Sequence, residues 1–160
     1  MLHNNKTARK IIAIFFISLL LGILYGEIFL EPDKMVAHDL NHSKILLKVV
    51  TKNMICLVIM VIGTFLGKLF IKTFLGVNGF LIGLVISKFQ SVSYFLLILP
   101  HGIIEIPTLL FLGYILLKAI NQNAFDRRTV KGVLISGIMI LVSALIESYV
   151  TPNIVISVLF

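Results

Sequence analysis

LPHGIIEIPTLLFLGYILLK, residues Leu99–Lys118, holds one histidine, His101, and one carboxylate, Glu105, inside a run otherwise apolar enough to cross a bilayer. About twenty apolar residues in a helix span the ~30 Å hydrocarbon layer. The stretch therefore predicts a membrane span, and an acid within it is costly enough that burial among other helices is expected. Pro107 offers no N–H to the carbonyl of Ile103, and Pro100 none to Leu96, while Gly102 weakens the same turn. The segment reads as a helix break, which is tolerated at membrane depth only where protein or a polar cavity satisfies the freed backbone.

The rest of the chain supports a membrane setting. Of 160 residues, 59% are hydrophobic and only 13% charged, too apolar for the surface of a soluble domain of this size. The fold class is all-α, a polytopic membrane bundle of about five helices, with 1–160 as a single membrane domain. Spans are expected at about 11–30, 54–74, 77–98, 100–118 and 133–150. The third and second are separated by a tight turn at Gly76–Gly79, and a weak point falls at Ser87–Ser93. The basic start, Lys6, Arg9 and Lys10, precedes a long apolar run without a small-x-small site, so it reads as a retained first span rather than a signal peptide. Lys44, Lys48 and Lys52, four apart, read as one face of an interfacial lead-in helix whose lysines reach headgroups.

The net charge is +7, and the basic residues sit between the apolar runs. Membrane topology and anionic lipid explain them, so no nucleic-acid partner is expected. With the N-terminus in the cytoplasm, the inner side holds Lys6, Arg9, Lys10, Lys68, Lys72, Lys118, Arg127, Arg128 and Lys131. The outer side holds Lys34, Lys44, Lys48, Lys52 and Lys88. Nine against five places the N-terminus inside and the C-terminus outside a bacterial cytoplasmic membrane. The single cysteine, Cys56, permits no internal disulfide and reads as packing.

Gly22/Gly26, Gly63/Gly67 and Gly79/Gly83 have the spacing that lets helix backbones approach closely. They predict a tight intramolecular bundle first and homo-oligomer contacts second. Asn53, at the start of the second expected span, and Asn78, at the expected turn, read as helix-end caps. Glu147 is a further acid within an apolar segment, with Ser143 one turn earlier on its face. Three readings of His101 and Glu105, also one turn apart, stay open: a structural node, a proton- or substrate-responsive site, or ligands of an intramembrane hydrolase. Two ligands fall short of a catalytic zinc set, so no catalytic residue, metal or cofactor is expected. His38 and His42 read as solvated loop histidines.

PHGIIEIP (Pro100–Pro107) resembles the hallmark of the stage II sporulation protein M family of small multi-span membrane proteins. KNMICLVIMVIGTFLG (Lys52–Gly67), VNGFLIG (Val77–Gly83) and SALIESYVTP (Ser143–Pro152) resemble further family segments in the same order. The resemblance implies a five-span helical fold and importance for His101, Gly102, Glu105, Asn78, Gly79 and Glu147, without assigning them a reaction. It also implies two settings. One is an engulfment scaffold anchoring cell-wall hydrolases. The other is a membrane subunit beside an ATP-binding protein, serving export, maturation or immunity for a hydrophobic, circular bacteriocin-like peptide. The small loops of this chain favour the second.

Overall fold

The computed structural model describes the backbone of residues 2–31, 42–88 and 92–149, and the side chains of 6–31, 46–88 and 102–149. Its elements are α1 (Leu2–Phe29), α2 (His42–Gly63), a 3₁₀ turn (Thr64–Leu66), α3 (Lys68–Ser87), α4 (Val92–Gln122) and α5 (Arg127–Tyr149). Among the described residues there is no strand, and the fold is an all-α bundle. Five helices are long and apolar enough to cross a membrane: Lys6–Phe29, Leu46–Leu66, Lys68–Ser87, Gly102–Gln122 and Arg127–Tyr149. The side chains of Pro100 and His101, the loop with His38, the side chain of Lys44 and the tail 151–160 lie outside the described residues.

The first correction concerns where the chain turns. The reversal between the second and third spans is at Thr64–Gly67, not at Gly76–Gly79. Gly67 has φ +95°, a conformation that side chains resist, and its N–H donates to the Thr64 carbonyl (3.2 Å). The Thr64 hydroxyl donates to the Val61 carbonyl (2.6 Å). Lys68 and Lys72 then open α3 at its watery end, where the span 54–74 would have placed them near the end of a longer run. Gly63 also turns away from the expected role. A Cβ there would fall on the ring of Phe70, so the Gly63/Gly67 pair fits the turn and not a second helix. Because one reversal replaces another, the division of cations between the two ends is unchanged.

The other two glycine pairs meet each other. A Cβ on Gly22 would fall on the carbonyl oxygen of Phe80, and one on Gly83 would fall on that of Leu19 and lie 3.0 Å from the Gly22 Cα. One turn on, a Cβ on Gly26 would fall on the Ser87 hydroxyl. Gly22 faces Gly83 and Gly26 faces Ser87, so both numbers rise together and α1 and α3 run parallel. Gly79, expected in a turn, packs its bare face on the Phe15 carbonyl. Lipid tails give little drive for apolar helices to associate, so this close backbone approach supplies dispersion that larger residues would prevent. Asn78 sits mid-helix, and its Nδ2 donates to the Phe74 carbonyl of its own helix (2.8 Å), not to a turn. Asn53 is likewise well inside α2 and not at its start.

The second correction concerns α4, which is one helix of 31 residues through both prolines, about 46 Å long. The expected break at PHGIIEIP is absent. Membrane helices bear the lost proline donors where neighbouring helices, Ser/Thr side chains and small local adjustments re-satisfy the freed carbonyls. Immediately after Pro107, the Thr108 hydroxyl donates to the Ile104 carbonyl (2.6 Å), adding a bond where the ladder is thinnest.

The α4–α5 hairpin is fixed by local chemistry. Asn123 ends α4 in the left-handed region (φ 48°), and the N–H groups of Asn123 and Ala124 donate to the carbonyls of Ile120 (3.3 Å) and Ala119 (3.2 Å). This is the Schellman arrangement, which asparagine tolerates nearly as well as glycine. Asp126 then caps α5: its Oδ1 accepts from the Thr129 N–H (2.7 Å) and the Thr129 hydroxyl (2.7 Å). These bonds hold the Asp126 carboxyl below the usual carboxylate range.

The apolar core joins all five helices. Ile11 and Phe15 of α1, Met60 of α2, Ile71 and Leu75 of α3, Leu109, Leu112, Leu116 and Leu117 of α4, and Ile140 of α5 are buried. The inward face of α5 carries small residues: Thr129, Gly132, Ser136, Ser143, Ala144 and Ser148. With Ile140 between Ser136 and Ser143, they line one face of the helix and let α5 lie close to its neighbours.

Candidate functional site

The depth of each polar residue follows from the contacts between helices. In the antiparallel α4–α5 hairpin, a Cβ on Gly132 would fall on the Ile115 side chain. Glu105 is ten residues before Ile115, and Val142 is ten after Gly132, so Glu105 is level with Val142–Ser143. A Cβ on Gly113 lies 3.4 Å from Met60 Cε. Seven residues back along each of these helices are Asn53 and Ile106, so Asn53 shares that level. A Cβ on Gly137 would lie 3.7 Å from Leu57 Cδ1, which sets Asn53 beside Leu141 on α5 and agrees.

Asn53, Glu105 and Ser143 thus form one polar layer, with Glu147 and Ser148 about one turn, ~6 Å, further out. Asn53 is 4% exposed, and Ser143 and Ser148 are fully enclosed. Asn53 Nδ2, Glu105 Oε2 and Glu147 Oε2 are all buried, and the Asn53 amide nitrogen has no hydrogen-bond partner among the described residues. The Ser148 hydroxyl donates to the Ala144 carbonyl (2.7 Å). The four α4 core leucines all lie on the Gln122 side of Glu105.

Of the residues singled out by sequence, the structure brings Asn53 and Glu105 to one level, with Glu147 about one turn further out. Gly102 and Pro107 flank Glu105 on α4, and Pro107 is exposed. His101 and Pro100 belong to the α4 backbone, with side chains outside the described residues. Asn78, Gly79, Gly63 and Gly67 stand apart from the layer, in α3 packing and at the turn. Ser148 and Thr108 escaped the sequence reading. The small-residue spacing of α5 was the available signal for the first; nothing marked the second. Among the described residues, no three of His, Cys, Asp and Glu cluster as metal ligands would.

The two ends of the bundle differ in charge. The end holding the N-terminus and the α4–α5 turn has nine cations and one acid, Asp126, already engaged as a helix cap. Among the described side chains, the other end has three cations, Lys48, Lys52 and Lys88, and four acids, Glu27, Glu31, Glu105 and Glu147.

Five spanning helices, a glycine-packed seam and a buried polar layer define a multi-pass integral membrane protein. The model of the family described as Stage II sporulation protein M matches residues 11–152, and the chain belongs to that family. The match extends the likeness seen in the four sequence segments to the first span. No curated protein and no solved structure matches the chain.

Proposed function

We propose that this chain is a non-enzymatic membrane subunit of a multiprotein complex. It would work with an ATP-binding partner in export, maturation or immunity for a hydrophobic, circular bacteriocin-like peptide. The observation that carries the reading is the division of charge. Nine cations against one committed acid give the N-terminal end a field suited to an acidic soluble surface. That end would be cytoplasmic, with the C-terminus outside the bacterial cytoplasmic membrane. The buried layer of Asn53, Glu105 and Ser143 supports a role at the opposite end, offering polar groups inside an otherwise apolar bundle.

Reversing Arg127 and Arg128 to glutamate tests the docking step. Loss of co-purification with an ATP-binding protein encoded beside the gene is expected; full retention removes the reading. Glu105→Gln tests the layer. A folded protein that no longer supports peptide export or immunity is expected, whereas failure to fold assigns Glu105 to structure alone. A scaffold for cell-wall hydrolases is the second reading, favoured by the description of the matched family.

A further inference from the structure

On its lipid side, α2 carries a groove of about 600 Å³ lined by Leu47, Lys48, Thr51, Lys52, Ile55 and Cys56. Lys48, Thr51 and Lys52 are exposed, as are Leu47 (69%) and Ile55 (52%). Lys52 adjoins Asn53, so its Cα sits at the level of the polar layer, while Ile55 and Cys56 lie a turn deeper toward the apolar core. The two lysines are one turn apart on the same face, with the Thr51 hydroxyl beside them. Their aliphatic stems can run outward along the helix and lift both ammonium groups to headgroup depth. The groove thus pairs a doubly cationic rim with an apolar floor facing hydrocarbon. A ligand that satisfies both carries a phosphate at one end and an acyl chain at the other.

We propose that this groove is a binding site for an anionic phospholipid of the phosphatidylglycerol class. Lys48 and Lys52 hold the phosphate by charge-assisted hydrogen bonds, and Thr51 donates a further one. The acyl chain lies over Leu47, Ile55 and the Cys56 thiol. Neither ammonium has a neutralising carboxylate within its own helix, because α2 contains no Asp or Glu. The site is independent of the docking and peptide-handling roles above.

The chain contains no tryptophan, so a Leu47→Trp variant carries a single fluorescent reporter on the groove wall. Ile55→Trp is a second reporter on the same wall should the first fail to fold. Each is reconstituted into vesicles mixing phosphatidylcholine with brominated phosphatidylglycerol, and into the reciprocal mixture with the bromine on phosphatidylcholine. Quenching is expected to show a preference for the anionic lipid of about threefold or more over its mole fraction, since each lysine near a surface attracts anionic lipid measurably. Lys48→Gln with Lys52→Gln is expected to bring quenching back to the mole fraction. A reference tryptophan replacing Leu134, exposed on α5, is expected to show no preference. Parity with both lysines intact overturns the site, as does a preference that survives their removal. Absence of quenching by either lipid also overturns it, because a second copy or a partner helix then covers the groove.

Discussion

Adding a single methyl group at Gly83 should loosen the seam between α1 and α3. The new Cβ would fall on the Leu19 carbonyl oxygen, 2.8 Å from the Ile23 nitrogen and 3.0 Å from the Gly22 Cα. All three are backbone atoms, so no side chain can rotate away. Carbon contacts prefer about 3.5–4.0 Å, so the helices must part by roughly 0.5–1 Å, which forfeits about a quarter to a half of each dispersion contact along the seam. Overpacking of this kind costs about 1–3 kcal/mol, and replacing a helical glycine by alanine returns up to about 1 kcal/mol. Because the clash is with backbone, the upper part of that cost applies, about 2–3 kcal/mol, and the net expectation for Gly83→Ala is a loss of about 1–2 kcal/mol. Gly137 provides the contrast. Its added Cβ would meet only Leu57 Cδ1 at 3.7 Å, an ordinary contact, so Gly137→Ala should stabilise by roughly 0.5–1 kcal/mol. Reversible unfolding of the purified protein in mixed micelles, titrated with dodecyl sulfate, reads both changes. Gly22→Ala combined with Gly83→Ala should cost less than the sum of the two, since one separation relieves both clashes. Gly83→Ala as stable as the parent, or Gly137→Ala equally damaging, would refute the parallel seam.

Further outcomes follow from the α4–α5 hairpin and the turn before α3. Asn123→Ala should destabilise by roughly 1 kcal/mol, because alanine resists the left-handed backbone that asparagine accepts, while Asn123→Gly should be neutral or slightly stabilising. The same unfolding assay checks both. The Asp126 carboxyl is held below its ordinary range by Thr129 when folded, so its contribution is present above the ordinary carboxylate range and lost as pH falls through the depressed folded value. Stability measured against pH should therefore fall on the acid side in the parent and fall less in Asp126→Asn. Gly67→Ala should destabilise despite open space around it, because φ +95° strains any side chain. Repacking without loss of stability there would place the α2–α3 reversal elsewhere.

How much of this was legible in the sequence differs from feature to feature. The membrane class came from composition, and the charge division survived a change in span boundaries because it depends only on how many times the chain crosses. The location of the second reversal was not legible. Gly76, Asn78 and Gly79 offer the residues of a turn, and also the bare face of a packed helix. Only the partner, Phe15 of α1, distinguishes the two uses. Which helices pair was hidden for the same reason: three glycine pairs look alike in sequence, and one of them serves a turn. Pro100 and Pro107 signalled a break because they lack donors, yet α4 runs on through both. Glu105 was legible as a sheltered acid from its cost alone. Its companions Asn53 and Ser143 were not, because their depth is set by contacts between helices distant in sequence.

The central claim is that α4 turns Glu105 toward its neighbours while Ile103, 61% exposed, faces lipid. Nitroxide labels placed singly at positions 103 and 105, with Cys56 replaced by serine, report collisions with dissolved oxygen in the bilayer. High oxygen accessibility at 103 and low accessibility at 105 are expected. Equal, high accessibility at both positions would put the carboxylate against lipid and contradict the account.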